Sequence, residues 1–293
     1  MIQKFLIVVF AVVLFLSGCE TAEQSGFRDG FAPVDNGHLY YQIAGSGDAV
    51  VLIHGNAGDH RHWDSQFERF ASGFTVIRYD VRGWGQSADP VIGTPYSDFS
   101  DLAALLDHLG LESAHIVGWS MGSGIAFDFV TAYPDRARSL VSVGPWVFGH
   151  RTEAITKAFE HAGAVAKAAS EGGAEAGANA FVDHILDDTV IDESADKFLR
   201  AVGSESSFWT WTNPNQALSL KPNAASQLSS LTIPILVVTA EHDLPACRDM
   251  ADFIMSEADN ARRIVLADTG HLMHIEKPDE FNAKVVEFLA APR

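Results

Sequence analysis

The chain has 293 residues, 47% of them hydrophobic, and a formal net charge of −18. Length and apolar content suit one large α/β domain or two small ones and argue against a disordered chain. The charge argues against nucleic acid or an anionic lipid surface as an electrostatic partner, because either would repel it.

At the N-terminus, Lys4 precedes an unbroken apolar run of twelve residues, 5–16. A comfortable membrane span needs roughly 20 residues, so the run suits the apolar region of a secretory signal. It ends in Leu16-Ser17-Gly18-Cys19, which resembles the bacterial lipobox, with small residues at both positions before the cysteine. The resemblance implies cleavage before Cys19, a lipid on that cysteine and a membrane partner reached through it. Glu20 follows, which by the same resemblance leans towards the outer membrane if the cell is Gram-negative. Residues 1–18 are therefore expected to be a signal peptide and residues 19–33 a tether. With Cys19 lipidated, Cys247 has no partner, and the fold stands without an intrachain disulfide.

Beyond the tether, Asn36-Gly37 signals a hairpin turn before residues 38–44. Apolar runs at 49–53, 74–79, 115–117, 140–143, 235–239 and 264–266 predict strands. Helical patterns cover 98–109, 121–132, 246–255 and 278–289. Short β-branched runs separated by helix-length patterns predict an α/β fold with a mostly parallel, doubly covered sheet. Between 144 and 231 this rhythm stops. The stretch is helical in character, with an alanine- and glycine-rich part at 162–180 and the aromatic cluster Phe208-Trp209-Thr210-Trp211. It predicts a helical cap, 145–230, inserted into a core formed by 34–144 and 231–293. The alanine-rich part reads as a loosely packed surface helix rather than a ligand-binding element.

Chemistry gathers at the predicted strand ends, where open parallel sheets bind their ligands. Gly118-Trp119-Ser120-Met121-Gly122 lies between a strand pattern and a helix pattern. A serine at such a turn is presented to solvent, and the flanking glycines let other backbone pass close by. The pattern alone arises often by chance; its worth depends on a base and an acid. Nucleophilic catalysis by serine needs one group to take the proton and another to hold that group's tautomer. Ser120, Asp243 and His271 each follow a predicted strand, in the chain order used on this kind of sheet.

Four segments, in this order, carry a resemblance that spans about residues 37–289. They are His54-Gly55-Asn56-Ala57-Gly58, Asp80-Val81-Arg82-Gly83-Trp84-Gly85-Gln86-Ser87, the serine turn, and Glu241-His242-Asp243 with Gly270-His271. The chain resembles the capped α/β-hydrolases of the α/β-hydrolase-1 type. The resemblance implies Ser120 as nucleophile, His271 as general base and later acid, and Asp243 as the residue orienting His271. It implies an oxyanion hole from the backbone N–H groups of Asn56 and Met121, with donors of this kind worth roughly 3–4 kcal/mol each. No metal or organic cofactor is implied.

Other assignments compete less well. Glu241 and Asp268 are neighbouring carboxylates set two or three residues from the triad positions, and Ser142-Val143-Gly144-Pro145-Trp146 offers no acid after the preceding strand. His274 reads as a packing or surface histidine, His54 and Asp80 as loop supports, and Cys247 as buried filler. His60-Arg61-His62-Trp63-Asp64 imitates the H-x-H-x-D of binuclear metallohydrolases, yet Ser65 follows and the further ligands that such a site needs are not signalled. Trp119, Trp146, Phe148, Trp209 and Trp211 are expected to line or overhang a pocket, with core packing as the alternative. Relatives that cleave haloalkanes or epoxides use aspartate where this chain has Ser120. The expected activity is hydrolysis of a carboxylic ester or related acyl bond in a small to medium apolar substrate, through an acyl-enzyme. Lactone, carbon–carbon bond and peptide hydrolysis share the same triad, and a non-catalytic receptor on this scaffold is a further alternative. The oligomeric state has no signal in the sequence.

Overall fold

The hairpin opens one continuous sheet: β1 (Phe27–Val34) and β2 (Gly37–Gly45) pair antiparallel across a turn in which Asn36 takes φ 58°. The computed structural model describes residues 26–186, 189, 192–214 and 216–291, so the expected signal peptide, Cys19 and the start of the tether lie outside the described residues. Residues 27–33, expected as the end of that tether, instead belong to β1. Its exposed and half-buried pattern looks polar in sequence, but the backbone is fully paired to β2.

Six further strands follow: β3 (Ala49–Ile53), β4 (Thr75–Tyr79), β5 (Ala114–Trp119), β6 (Ala137–Val143), β7 (Ile235–Ala240) and β8 (Ala261–Leu266). Their spatial order is β1-β2-β4-β3-β5-β6-β7-β8. β2 runs antiparallel to β4, and every neighbour from β4 to β8 is parallel. β3, β5 and β7 are buried at every position, which is why they read as unbroken apolar runs. Alternate residues face opposite sides.

The connections supply helices α1 (Asp64–Ala71), α2 (Asp98–His108), α3 (Met121–Ala132), α4 (Glu153–Ile185), α5 (Glu193–Ser204), α6 (Trp209–Thr212), α7 (Pro245–Glu257), α8 (Met273–Glu276) and α9 (Pro278–Leu289). Val50, Leu52, Val117 and Leu236 pack with Phe67 and Phe70 of α1 and Phe281 of α9 on one face of the sheet. Val51, Ile53, Ile116 and Val237 pack with Leu105 of α2, Phe127 of α3 and Met250 of α7 on the other. Between β6 and β7 the described residues hold no strand, only helices and one isolated bridge, Ala217 to Tyr96. Thr152 caps α4 by accepting from the Ile155 N–H (3.2 Å), and the helix breaks at Gly173, where φ is 77°. Residues 162–180, expected as a loose surface helix, bury Val165, Ala169, Ala178 and Ala180. The opposite face, including Gly163, Ala164, Lys167 and Ser170, is exposed, so the segment is a surface helix with one packed side. Among the described residues no helix is long and apolar enough to cross a membrane.

The chain leaves β3 for β4 on one side and then crosses back to β5 on the other. That reversal opens a crevice beyond the carboxyl ends of β3 and β5. His54-Gly55-Asn56 follows β3 and Ser120 follows β5, so both segments meet at the crevice.

Candidate active site

Ser120 sits between β5 and α3 with φ 54° and ψ −116°, a conformation that few non-glycine residues adopt. Holding it costs of order 1–3 kcal/mol, which surrounding packing must offset. Crowding explains how. A Cβ on Gly118 would strike the Gly122 carbonyl, and one on Gly122 would strike the carbonyls of Ile53 and His54. The turn therefore lies directly against the end of β3. Met121 is the first residue of α3, so its N–H has no partner inside the helix.

Asp243 follows β7 and is fully buried; His271 follows β8 and is 2% exposed. The His271 Nδ1–H donates to Asp243 Oδ1 at 2.7 Å, and the same oxygen accepts the Leu244 N–H at 2.9 Å. Arg248 donates to the Asp243 carbonyl, fixing the loop. With Nδ1 engaged, Nε2 is the ring nitrogen left to exchange a proton. Gly144, at φ 50°, leaves room for the imidazole: a Cβ there would come within 2.6 Å of His271 Cε1.

Ser120, His271, Asn56 and Met121 line one cavity of about 840 Å³. Trp146, Phe148 and Trp211 line it too. Trp119 and Trp209 are not among its lining residues. Trp119 is fully buried, with its indole N–H donating to the His271 carbonyl (2.9 Å) and its ring 5.3 Å from the His271 ring. Inward direction from a buried strand end places it in the core below the site. The Glu153–Ala162 part of α4 forms another wall, including Ala162 from the stretch expected to carry no ligand role.

Two contributors carry no signal in sequence. Thr189 Oγ1 accepts the His271 N–H and donates to the His242 carbonyl, both at 2.8 Å, so one hydroxyl ties the two triad loops together. Cys247, a lining residue, places Sγ 3.8 Å from His271 Nδ1, with burial pushing its thiol well above the usual range. Thr189 stands near no recognisable motif, and Cys247, four residues past Asp243, reads in sequence only as buried filler.

Burial favours the neutral form of three histidines around the site, His54, His62 and His274. His54 Nε2 accepts the Val81 N–H at 2.9 Å and Nδ1 lies 2.7 Å from the Gly55 carbonyl, with burial lowering its pKa. Burial pulls His62 down to about 3, and its ring lies 5.0 Å from Trp119. His274 is fully buried between Trp63 and Trp119, and is lowered for the same reason. The H-x-H-x-D stretch does not converge: His60 Nδ1 bonds Asp80 Oδ1 at 2.7 Å, Asp64 pairs with Arg78, and His62 faces Trp119. Asp59, His60 and Asp80 do approach one another, but Asp59 is committed to Arg61 and the second Asp80 oxygen to the Gln86 N–H.

A second cavity of about 500 Å³ adjoins the first and shares Asn56, Met121, Phe148 and Trp211 with it. Two carboxylates line it. Burial, then Asp101, pushes Asp98 up to about 7, and burial pushes Asp128 up to about 6.

Residues 48–278 match the family described as the alpha/beta hydrolase fold. Across 94% of its length the chain is 28% identical to the dihydrolipoyllysine-residue acetyltransferase component of the acetoin cleaving system of Cupriavidus necator, covering 74% of that protein. Across 86% it is 29% identical to the 2-hydroxy-6-oxononadienedioate/2-hydroxy-6-oxononatrienedioate hydrolase of Burkholderia vietnamiensis, covering 90% of that relative. Among solved structures, an enol-lactonase from Burkholderia xenovorans superposes with a TM-score of 0.72 at 23% identity, over 89% of this chain and 100% of the other. A carboxylesterase from Bacillus subtilis gives 0.74 at 19% identity, over 91% and 93%. At these identities the two structures show a common fold.

Two outcomes are expected. Thr189→Val removes the acceptor of the buried His271 N–H and should cost about 1–3 kcal/mol in chemical denaturation, with Thr189→Ser close to wild type; equal losses in the two variants would refute this role. Asp98 and Asp128 hold protons to higher pH in the folded chain than the ordinary 3.8, so the native state binds more protons up to about pH 7 and stability falls as pH rises through that window. The double variant Asp98→Asn/Asp128→Asn should therefore melt above wild type at about pH 8, by a margin that shrinks towards pH 5. A margin independent of pH contradicts it.

Proposed function

The chain belongs to the α/β-hydrolase fold family, and from that premise we propose that it is a serine hydrolase cleaving a carboxylic ester or related acyl bond through an acyl-enzyme. The observation that carries the reading is Ser120 at positive φ, in one cavity with a His271 whose tautomer is set by a buried Asp243. The Ser120 hydroxyl attacks the carbonyl carbon while His271 Nε2 takes its proton. Asp243 holds the imidazole and stabilises the imidazolium. The backbone N–H groups of Asn56 and Met121 receive the developing oxyanion, and the α3 dipole adds positive potential there. His271 then protonates the leaving group, and water repeats the cycle on the acyl-enzyme.

The apolar walls from Trp146, Phe148 and Trp211 support a small to medium substrate with an apolar acyl or aromatic portion. Glu153, Glu160 and Asp249 outnumber Lys157 along the rim, a lining that repels a dianion. That speaks against a dicarboxylate such as the one named for the Burkholderia vietnamiensis relative.

Residues 1–18 remain a proposed lipoprotein signal, with Cys19 as the lipid attachment site and the enzyme held in the cell envelope. Mass spectrometry of the mature N-terminus should find a diacylglyceryl group on Cys19; an unmodified cysteine, or an uncleaved leader, refutes the anchor.

The catalytic reading is tested with p-nitrophenyl butyrate and a fluorophosphonate probe. Wild type should turn over the ester and label at Ser120, and Ser120→Ala should lose about 10³-fold or more in kcat with its fold intact by circular dichroism. Absence of labelling in a folded wild-type protein overturns the reading.

A further inference from the structure

The second cavity is an extension of the first rather than a separate pit. Its wall runs along one face of α3, where Met121, Ile125 and Asp128 recur at helical spacing. Seven residues at 1.5 Å rise set Asp128 about 10 Å from the Met121 end of the helix. One end of the lobe is therefore the oxyanion position, and the far end is acidic.

The acidity is uncompensated. Asp128 is 4% exposed; its carboxylate accepts one backbone hydrogen bond, from the Leu220 N–H, while its Oδ1 has no partner among the described residues. Asp98, at the start of α2, is more open as a residue, but its Oδ1 is also shut off from solvent and unpartnered. Thr210 Oγ1, another lining atom, is in the same state. The positive charge present does not answer them: Arg82 gives both arms of its guanidinium to Asp101, at 2.7 and 2.8 Å, and stacks on Tyr96. With Arg82 and Asp101 cancelling, two carboxylates face the lobe with no further cation among its described lining residues to answer them. Buried carboxylates without a counter-charge are costly, and burial raises the pKa of both.

The other walls are aromatic: Trp84, Tyr96, Phe148 and Trp211. Ring faces attract a cation by their quadrupole and tolerate its methyl groups. Paired acids inside an aromatic box suit an organic ammonium and repel a carboxylate or phosphate.

We propose that the lobe between α2, α3 and α6 is a binding subsite for an organic ammonium group, so that the natural substrate is an ester or related acyl compound bearing a cation about 10 Å from its reacting carbonyl. The inference rests on the serine-hydrolase reading for its reaction, but not for its binding. Main-cavity aromatics take the apolar span, and Asp98 and Asp128 take the charged end.

The test compares two p-nitrophenyl esters on the full mature protein. One carries a trimethylammonio end on a chain spanning about 10 Å; the other is its isostere with a tert-butyl end. Wild type should favour the cationic ester in kcat/KM by at least about tenfold. In Asp128→Asn, and in Asp98→Asn/Asp128→Asn, the ratio of the two values should fall towards one. The ratio is internal to each variant, so a general loss of activity does not mimic it. Equal or better turnover of the tert-butyl ester by wild type overturns the proposal. If Ser120 labels with no probe and neither ester turns over, the hydrolase reading has failed by itself. Calorimetry with phenyltrimethylammonium then decides the subsite: saturable binding to wild type that is lost in Asp128→Asn upholds it, and no binding overturns it.

Discussion

The site depends on a backbone crowding constraint. Glycines at 118 and 122 let the turn after β5 press against the Ile53 and His54 carbonyls at the end of β3, where any Cβ would collide. At that contact Ser120 takes positive φ, and the start of α3 lies beside the end of β3, from which the loop carrying Asn56 leaves. The candidate nucleophile and the candidate oxyanion donors thus meet at a single close approach. The strain at Ser120 persists because β3 and β5, both without an exposed residue, over-determine the positions of their ends.

Around that turn the supports come from different layers. Asp243 and Thr189 fix His271 through its ring and its main chain, from the core and from beyond α4 respectively. Trp119, one residue before the serine, reaches under the site to the His271 carbonyl. The cap region is therefore attached to the His271 main chain through Thr189, and is not only a cover over the substrate. The same region closes the acidic lobe through Thr210 and Trp211, so α6 borders both cavities.

Much of this was legible. The limits of β3 and α3 follow from apolar runs and from the glycine-bounded turn, and the order of Ser120, Asp243 and His271 follows from their positions after strands. Three features were not. β1 looks like tether because an edge strand with exposed side chains has little apolar alternation. Residues 162–180 are a surface helix, but the face that packs inward is hidden in sequence because alanine is neutral in pattern and only a neighbour's approach buries it. Trp119 looks like a pocket residue because a tryptophan beside a serine has no sign of direction; the inward pleat of β5 supplies it.

What the sequence by itself determined is local: which segments are strands, where the turn needs glycine, and which residue types stand at strand ends. These depend on neighbours a few positions apart, and the chain records them directly. Tertiary structure alone decided which carboxylates are left without a counter-charge. Asp98 and Asp128 are thirty positions apart and ordinary in composition. Only the packing of α2 and α3 under α6 removes water from both, while pairing Arg82 with Asp101 removes the cation that would have answered them. Charge compensation is a property of three-dimensional neighbours, and no short window of sequence carries it.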